Sequence, residues 1–453
     1  MKFGTDGVRG RANVDITPEL ALALGRSAAA VLTGDGPRRV VIGGDTRAST
    51  PMLAAALAAG FSASGVEVID LGVAPTPMVA DVARRANALG AVVSASHNPF
   101  HDNGIKLFAR GGTKLRDEVE RQIEAHLERL EDGSAAGDHD GVGAVASAHS
   151  SAAAEYLDHL HATIDRRTMT GMRVVVDAAN GAAAELVAPL FAALGTETTV
   201  LAAAPDGRNI NDRCGATHPA LVADAVRAHG ADVGIALDGD ADRLIAVDHT
   251  GTVVDGDHII AICARDLRQR GQLARDAVVV TVMSNLGFRL AMADAGIDVV
   301  ETPVGDRYVL EAIAEGRYSL GGEQSGHVIF ADHATTGDGL LTALMMLDAV
   351  HRAGRPLADL AGEAMTSLPQ VLVNVEVAER QPDVAALLAD EIAVAEKRLG
   401  ARGRVLVRAS GTEPLVRIMV EAPTDEVAAA AAGELAEVAR RRFGRTDPSA
   451  VDR

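Results

Sequence analysis

The sequence of 453 residues has no tryptophan, and its other aromatic residues are only eight phenylalanines and three tyrosines. Modules that bind single-stranded nucleic acid stack bases on aromatic side chains. Basic residues are not in excess either, because 62 Asp and Glu against 43 Lys and Arg leave a net charge of -19. Such a charge repels nucleic acid and anionic membranes. We therefore expect neither as a partner, and any phosphate site must be locally basic.

Cysteines and long hydrophobic runs are also scarce. Cys214 and Cys263 are the only cysteines, and they form no Cys-x-x-Cys pair. This usage suits a reducing cytosol and argues against a disulfide framework or a zinc site. The first residues contain no apolar segment of the kind found in signal peptides. The longest uncharged stretch, Ala48–Val66, is mostly Ala, Gly and Ser and is too weakly apolar to span a bilayer. We expect a cytoplasmic protein.

One pattern of secondary structure occurs three times along the chain. Each copy reads strand, helix, strand, helix, strand, and then ends in a polar loop. The copies run from Arg39 to Val93, from Arg173 to Leu237 and from Ala277 to Leu320. Strands that alternate with helices predict parallel sheets with right-handed crossovers. Functional loops gather at the carboxyl ends of such strands, where each copy has its polar loop.

The fold class that follows is α/β, with several domains, since one hydrophobic core stops growing near ~250–300 residues. The tail differs from the three copies, because two strands, Arg404–Arg408 and Leu415–Glu421, flank a short turn. Segments rich in small and polar residues mark boundaries at Glu131–His149 and His249–Gly256, with another near Leu368. We predict three similar α/β domains with mixed or parallel sheets at residues 1–150, 151–252 and 253–367. A C-terminal α+β domain at 368–453 follows, and all four surround a central cleft.

The acidic run Asp238-Gly-Asp240-Ala-Asp242-Arg243 is the sharpest motif. Alternate side chains of an extended chain point the same way, so three carboxylates are predicted to converge. They would repel one another unless a cation lay between them, and oxygen ligands favour Mg²⁺ or Ca²⁺ over zinc. An EF-hand loop is excluded, because its glycine and glutamate positions hold Arg243 and His249. A solvated acidic turn remains the alternative.

The first copy ends in Ser94-Ala-Ser96-His97-Asn98-Pro99, which presents a hydroxyl at the carboxyl edge of its sheet. The Gly-x-Ser-x-Gly of a hydrolase nucleophile elbow is absent. Neighbours in an extended chain point apart, so a relay between Ser96 and His97 is not expected. Lys106 could neutralise a phosphoryl group or shuttle a proton. The alternatives are an ordinary polar turn before the proline and a solvated lysine.

The third copy ends in Gly-Glu-Gln-Ser-Gly-His, where alternation places Glu323, Ser325 and His327 on one face. Glu and Ser suit sugar hydroxyls, and His suits proton transfer near neutral pH. Asp306 and Arg307 open a helix at a strand end, where a helix N-terminus favours anions. A loop of capping polar groups is the alternative for the first of these motifs.

The tail contains Arg408-Ala-Ser410-Gly411-Thr412-Glu-Pro, followed by Arg417. Small residues let backbone N–H groups approach phosphate oxygens, hydroxyls add donors, and arginine forms forked hydrogen bonds. The segment therefore predicts an anion clamp, with a hairpin turn bearing surface arginines as the alternative.

In this order, the motifs resemble those of the α-D-phosphohexomutase superfamily, from Phe3–Gly10 to Arg408–Arg417. The resemblance implies that Ser96 is a phosphoserine, whose phosphate completes a Mg²⁺ site with Asp238, Asp240 and Asp242. It implies further roles around the transferring phosphoryl group for Arg9, Asn98, Lys106 and Arg243. His327 becomes an acid/base candidate. The resemblance places Asp306, Arg307, Glu323, Ser325, Arg408, Ser410, Gly411, Thr412 and Arg417 around the substrate.

The implied reaction moves a phosphoryl group between carbons 6 and 1 of a sugar phosphate through a sugar 1,6-bisphosphate. Motif wording favours glucosamine phosphates over glucose or mannose phosphates, and hence a supply of UDP-N-acetylglucosamine for cell-wall precursors. Rival hypotheses are a mutase for those other sugars, a phosphatase, and a non-catalytic sugar-phosphate-binding regulator. The family suggests a homodimer. Priming of Ser96 by a kinase or by autophosphorylation stays open.

Overall fold

The computed structural model describes residues 2–4, 6–34, 36–131, 141–410 and 414–444. The chain forms two compact units, one of residues 1–283 with 295–364, the other of residues 284–294 with 365–453. Three α/β sheets lie in the first unit and a fourth sheet lies in the second. Within the described ranges, no helix is both long and apolar enough to cross a membrane.

The first sheet has seven strands in the order β1-β5-β4-β2-β3-β7, with β6 paired to β5. The strands are Val8–Arg11 (β1), Arg39–Gly44 (β2), Glu67–Val73 (β3), Leu89–Val93 (β4), Asp102–Ala109 (β5), Thr113–Lys114 (β6) and Val145–Ser147 (β7). The helices that accompany them are Pro18–Leu32 (α1), Thr50–Ala63 (α2), Thr76–Arg85 (α3) and Asp117–Glu131 (α4).

The second sheet has five strands in the order β12-β11-β10-β8-β9. They are Arg173–Asp177 (β8), Glu197–Leu201 (β9), Val233–Leu237 (β10), Leu244–Asp248 (β11) and Val253–Val254 (β12). The accompanying helices are His149–Ala162 (α5), Ala184–Ala193 (α6) and Ala220–His229 (α7).

The third sheet has four strands in the order β14-β13-β15-β16. They are Ala277–Thr281 (β13), Asp298–Thr302 (β14), Leu320–Gly322 (β15) and Val328–Phe330 (β16). The helices of this part of the chain are Gly256–Gln269 (α8), Leu286–Asp294 (α9), Asp306–Gly316 (α10), Gly339–Ala353 (α11) and Leu357–Ala364 (α12). Helix α9 is grouped with the C-terminal unit.

The three sheets share one topology, which confirms the predicted α/β fold. In each sheet three parallel strands take the order third-first-second, as in β4-β2-β3, β10-β8-β9 and β15-β13-β14. The third strand then turns back into an antiparallel strand, β5, β11 or β16. The sheets are therefore mixed at this edge, within the prediction of mixed or parallel sheets. Each polar loop is therefore a hairpin loop.

The central strands are buried because helices cover both faces of a parallel sheet. Every residue of β4, β10 and β13 is buried, and their sequences are almost wholly apolar. Side-chain caps fix several helix starts. Thr17 accepts a hydrogen bond from the Leu20 amide at the start of α1, Asp255 caps α8, and Asp338 caps α11.

Two predicted linkers are partly strand. Residues 145–147 of the first form β7, which pairs with β3, and residues 132–140 lie outside the described residues. The second linker contains β12, which pairs with β11. Sheet pairing therefore ends later along the chain than composition suggested.

The C-terminal unit carries an antiparallel sheet of three strands in the order β17-β19-β18. Its elements are Gln370–Glu376 (β17), Val384–Leu387 (α13), Ala389–Leu399 (α14), Arg404–Ala409 (β18), Leu415–Glu421 (β19) and Asp425–Phe443 (α15). Helix α15 packs an alanine-rich face, which includes Ala428, Ala432 and Ala436, into the core of this unit. This is the predicted α+β arrangement.

Candidate active site

The hairpin loops of the three sheets bring the predicted residues of the first unit together. The loop between β4 and β5 carries Ser96, the loop between β10 and β11 carries the acidic motif, and the loop between β15 and β16 carries His327. Contacts of 2.6 Å between Ser96 and Asp238 and of 3.7 Å between His327 and Asp242 join the three loops.

The three aspartates of the acidic motif lie close together and are buried. Carboxylate oxygens of Asp238, Asp240 and Asp242 all lie within 4.8 Å of one another. The sequence analysis expected an extended chain here, but the chain is not extended. Ala241 is left-handed at φ 55° and its amide donates 3.0 Å to the Asp238 carbonyl. A tight turn therefore makes the carboxylates converge.

The electrostatics of this cluster fit a divalent cation. Burial, together with repulsion from the other two aspartates, raises the pKa of Asp238 well above its usual range. Oδ1 of Asp240 and Oδ1 of Asp242 are buried and accept no hydrogen bond from any described residue. Unsatisfied buried carboxylate oxygens are costly, and oxygen donors are what Mg²⁺ prefers. The residues present thus fit a magnesium site.

Ser96 is placed directly against this cluster. Its hydroxyl donates a hydrogen bond of 2.6 Å to Oδ2 of Asp238, and the residue is 1% exposed. Its φ of 51° is left-handed, so the extended backbone assumed for this loop is wrong. As a consequence His97 does not point away, and its Nδ1 lies 3.3 Å from the Ser96 hydroxyl. Burial, with Arg243 and Arg9 nearby, lowers the pKa of His97 to about 4, so the ring is neutral at pH 7.

Lys106 projects from β5 into the same cluster. Its ammonium lies 2.8 Å from Asp240, 3.2 Å from Asp242 and 2.9 Å from Asp6. Burial opposes this charge, but the three carboxylates outweigh it and raise the pKa of Lys106 well above its usual value. Asp6 also pairs with Arg9 at 2.5 Å. Lys106 is therefore a fixed positive charge beside the Ser96 hydroxyl.

Arg243 and His327 support the acidic loop from two sides. The Arg243 amide donates 3.2 Å to Oδ1 of Asp238. Coulomb attraction to Asp242 and Asp238 outweighs burial and raises the pKa of Arg243. His327 is 2% exposed, and its Nε2 accepts a hydrogen bond of 3.1 Å from the Gly337 amide. A Cβ at residue 337 would lie 2.5 Å from this ring, so the close approach requires glycine.

The remaining predicted residues of the first unit lie around this centre. Oε1 of Glu323 accepts from the Gly305 amide at 3.2 Å, which ties the β15–β16 loop to the start of α10. Asp306 pairs with Lys114 at 2.8 Å, and Arg307 pairs with Asp117 and Glu120 of α4. Ser325 is exposed at the loop tip, while the Asn98 amide donates to Asp102 at 3.1 Å.

The predicted anion clamp lies in the C-terminal unit. Arg408 of β18 is the register partner of Arg417 of β19. Burial and the Arg417 charge lower the pKa of Arg408, and Nε of Arg417 is buried with no hydrogen-bond partner among the residues that the structure describes. In the described part of the chain neither guanidinium has a carboxylate within 4.0 Å. Ser410 follows β18, whereas Gly411 and Thr412 lie outside the described residues.

Several residues of the centre were missed by the sequence analysis. Thr76 donates 2.6 Å to Oδ2 of Asp240, and Asp6 bridges Lys106 to Lys114. Arg47 and Asn211 contact the carbonyl groups of the Ser96 loop. A signal existed for Arg47, because the polar run Asp45-Thr46-Arg47 follows β2 at the carboxyl edge of the first sheet.

The fold and the centre define a class of protein, an α/β protein that presents a buried serine to an acidic loop whose carboxylates fit a magnesium ion. Four family models match the chain in order. They are phosphoglucomutase/phosphomannomutase alpha/beta/alpha domain I at residues 1–134, domain II at 154–251, domain III at 255–368 and the C-terminal domain at 372–438. The chain belongs to the phosphoglucomutase/phosphomannomutase family.

Characterised relatives are similar over nearly the whole length. Phosphoglucosamine mutase of Frankia casuarinae is 55% identical, with 97% of this chain and 98% of that protein aligned. Phosphoglucosamine mutase of Streptomyces avermitilis is 53% identical over 98% of this chain and 99% of that protein. Among solved structures, a phosphoglucomutase/phosphomannomutase family protein of Burkholderia thailandensis matches with a TM-score of 0.80 at 27% identity, covering 96% of this chain and 97% of that one.

Proposed function

We propose that the protein is a phosphoglucosamine mutase, an isomerase that interconverts glucosamine 6-phosphate and glucosamine 1-phosphate by intramolecular phosphoryl transfer. The observation that carries this proposal is the buried hydroxyl of Ser96, 2.6 Å from Asp238 in a cluster with two unsatisfied carboxylate oxygens. The choice of glucosamine is supported by the names of relatives that are 50–55% identical to this chain.

In the proposed cycle Ser96 carries the phosphoryl group. The carbon-1 hydroxyl of glucosamine 6-phosphate attacks phosphorus, the bond from phosphorus to the Ser96 oxygen breaks, and a sugar 1,6-bisphosphate forms. That intermediate turns over and returns its carbon-6 phosphoryl group to Ser96, which releases glucosamine 1-phosphate. In the first transfer the sugar hydroxyl loses its proton and the departing Ser96 oxygen gains one. In the second transfer the Ser96 hydroxyl loses its proton and the departing carbon-6 oxygen gains one. A free 1,6-bisphosphate would therefore act as an activator of unphosphorylated protein.

The residues of the centre act mainly by position and charge, as phosphoryl transfer requires. Asp238, Asp240 and Asp242 would hold Mg²⁺, which when bound neutralises negative charge on the phosphoryl group. Lys106 stays protonated, because the carboxylates around it raise its pKa. It therefore neutralises charge beside Ser96 and is not the base that accepts the sugar proton. Arg9 and Arg243 add positive charge on the same side.

Substrate contacts are assigned by the same reasoning. Glu323 and Ser325 would bind sugar hydroxyls, with Asp306, Arg307 and Asn98 near the sugar phosphate. His327 accepts a hydrogen bond from a backbone amide on Nε2, and its Nδ1 lies 3.7 Å from Oδ1 of Asp242, so it would act as an acid or base beside the acidic loop. Arg408, Ser410, Gly411, Thr412 and Arg417 would bind the phosphate that is not transferred. The facing arginines Arg408 and Arg417 support that role.

Kinetics with three sugar phosphates test the proposal. Glucosamine, glucose and mannose 6-phosphates are compared side by side with Mg²⁺ and the matching 1,6-bisphosphate, while free inorganic phosphate is measured in parallel. We expect the highest kcat/KM for glucosamine 6-phosphate and no phosphate release. A higher kcat/KM for glucose or mannose phosphate would reassign the substrate, and stoichiometric phosphate release would make the protein a phosphatase.

A further inference from the structure

The backbone of the Ser96 loop is held from two domains. The guanidinium of Arg47, which follows β2, donates 3.2 Å to the carbonyl oxygen of Ser96 and also donates to that of Asn98. The side-chain amide of Asn211, from the loop between β9 and α7, donates 2.9 Å and 3.2 Å to the same two oxygens. Two donors from separate domains thus meet on two carbonyl groups.

Both donors are themselves fixed. Arg47 is 1% exposed and pairs with Asp45, and the Asp45 carboxylate also accepts 2.9 Å from the Thr50 hydroxyl. Asn211 is 8% exposed, and its backbone amide donates a hydrogen bond of 2.9 Å to the carbonyl of Ala179. Nε of Arg47 has no hydrogen-bond partner among the described residues, but the terminal donor groups of both buried side chains are hydrogen-bonded and have little freedom to move. The positions of the two carbonyl oxygens are therefore determined by rigid groups.

The Ser96 amide is held as well. It donates 2.9 Å to the Ser94 hydroxyl, which in turn donates 2.5 Å to Asp45. Gly239 of the acidic loop lies against the same carbonyl, because a Cβ there would stand 2.6 Å from the Ser96 oxygen and 2.8 Å from the Asn211 amide nitrogen. Both sides of the Ser96 peptide unit are thus fixed next to the metal-binding turn.

The need for these contacts follows from the backbone conformation. Ser96 has φ 51°, a left-handed conformation that non-glycine residues adopt at a cost and keep only when their surroundings impose it. That conformation directs the hydroxyl at Asp238. If the loop relaxed to ordinary backbone angles, the hydroxyl would leave the carboxylate cluster.

We propose that Arg47 and Asn211 are positioning residues that hold Ser96 in its left-handed conformation and so aim its hydroxyl at the acidic loop. The inference rests on the proposed function, because aiming matters only if Ser96 carries the phosphoryl group. Asn211 additionally makes this aim depend on contact between the first two domains. Two further contacts join the loop of Arg47 to the second domain. The Ala48 amide donates 2.9 Å to the Gly207 carbonyl in the loop that carries Asn211, and the Thr46 hydroxyl donates 2.5 Å to the Asn180 carbonyl in the loop between β8 and α6.

The test uses Asn211→Asp, which keeps the size of the side chain but turns donors into an acceptor facing two carbonyl oxygens. Its control is Asn209→Leu in the same loop, since the side chain of Asn209 bonds within that loop, to backbone groups of Ala204 and Asp206. Arg47→Lys is the second variant, because it keeps the positive charge but loses the paired N–H donors of the guanidinium. For each, kcat is measured per molecule phosphorylated on Ser96, counted by mass spectrometry, together with KM and the Mg²⁺-induced shift in Tm.

We expect Asn211→Asp to lower kcat per phosphorylated molecule about 100-fold, which is the order of loss from an ~1 Å misplacement of a reacting group. KM should change less than about twofold and the Mg²⁺-induced Tm shift should persist, since neither side chain reaches the substrate or the three aspartates. Arg47→Lys should lose about tenfold, and Asn209→Leu should match the wild type. If Asn211→Asp does not fold, Asn211→Ser, which removes the amide without adding charge, carries the same expectation.

A purely structural role would lower Tm but leave kcat per phosphorylated molecule unchanged. The inference is overturned if Asn211→Asp or Asn211→Ser gives that result and Arg47→Lys also keeps the wild-type kcat. Failure of the proposed function looks different. The wild type itself would then show no interconversion of sugar phosphates, whatever the variants do.

Discussion

The hydroxyl of Ser96 donates a hydrogen bond to the carboxylate of Asp238 across 2.6 Å, although the two residues are 142 positions apart in the chain. Each residue lies in the loop that follows the third parallel strand of its sheet, β4 or β10. The repeated topology therefore places the proposed phosphoryl carrier and the proposed metal ligands at matching points of two domains. Substitutions at this contact and around it separate its effects on stability, Mg²⁺ binding and turnover.

Asp238→Asn should have opposite effects on stability without and with Mg²⁺. Without metal, removing one of three buried like charges relieves the repulsion that raises the pKa of Asp238, so Tm should rise by roughly 2–4 °C. With saturating Mg²⁺ the wild type gains stability by ligand binding and the variant does not. Thermal unfolding in a chelator and in Mg²⁺ measures this. Equal Mg²⁺-induced shifts in Tm for the wild type and the variant would rule out Asp238 as a ligand. Asp224→Asn, on the exposed face of α7, is the control for the loss of one negative charge.

Lys106→Met should be strongly destabilising, because it leaves the carboxylates of Asp6, Asp240 and Asp242 without their shared counter-ion. Breaking a buried ion pair by removing one partner costs about 3–5 kcal/mol. Mg²⁺ should recover part of this loss of stability, although turnover should stay low. Urea unfolding with and without Mg²⁺ gives both numbers. Lys397→Met, at an exposed position of α14, should change little, and a Lys106 variant as stable as that control would contradict the account.

Asp338 should give the protein a pH-dependent stability between about pH 4 and 6. Burial raises the pKa of Asp338 to about 6, above the ~3.9 of an unfolded aspartate, although the Leu341 amide and the Tyr156 hydroxyl oppose the rise. Between these two pKa values the folded state therefore binds a proton on Asp338 more readily than the unfolded state does. The contribution of Asp338 to stability falls as pH rises through this window.

Asp338→Asn should flatten that dependence, because the amide keeps an oxygen for the helix cap but carries no charge. At pH 7 the variant should be at least as stable as the wild type. Its gain in the free energy of unfolding should be at most about 3 kcal/mol. Urea unfolding at pH 4.5, 5.5 and 7 checks it, with Asp359→Asn of α12 as an exposed control. Parallel pH curves for wild type and Asp338→Asn would disprove the titration of this group.

Arg417→Met should weaken substrate binding without removing phosphate from Ser96. A hydrogen bond to a charged group contributes about 1.5–3 kcal/mol, so kcat/KM for glucosamine 6-phosphate should fall roughly 10- to 100-fold. The facing Arg408 and the backbone pairing of β18 with β19 remain in this variant. Steady-state kinetics and mass spectrometry of the Ser96 peptide separate the two effects. Arg441→Met, an exposed change on α15, is the matched control, and equal kcat/KM in both variants would remove Arg417 from the clamp.

Much of the fold was predictable because hydrophobic periodicity and turn residues determine it locally. The predicted strand Leu415–Glu421 is β19 to the residue, and the second copy, predicted from Arg173 to Leu237, begins with β8 and ends with β10 at those residues. Antiparallel strands such as β5 and β16 were not predicted, since their polar or short sequences carry little period-2 signal. Pairing with a neighbouring strand, rather than propensity, makes them strands.

The centre was predictable in its residue types but not in its backbone. Left-handed conformations at Ser96 and Ala241 have no sequence signal, because glycine is the residue that normally marks them. They bring His97 near the Ser96 hydroxyl and fold the acidic motif into a turn. Arg47 and Asn211 went unrecognised for a related reason, since they act on carbonyl groups that only the folded chain brings near them.

The most direct test of the central claim is peptide mass spectrometry of the purified protein before and after one equivalent of glucosamine 6-phosphate. We predict one phosphoryl group on the Ser96 peptide before addition, its partial loss as sugar 1,6-bisphosphate forms, and neither phosphate nor turnover in Ser96→Ala. Full turnover by Ser96→Ala, or turnover by wild-type protein whose phosphate sits on another residue throughout, would contradict the account.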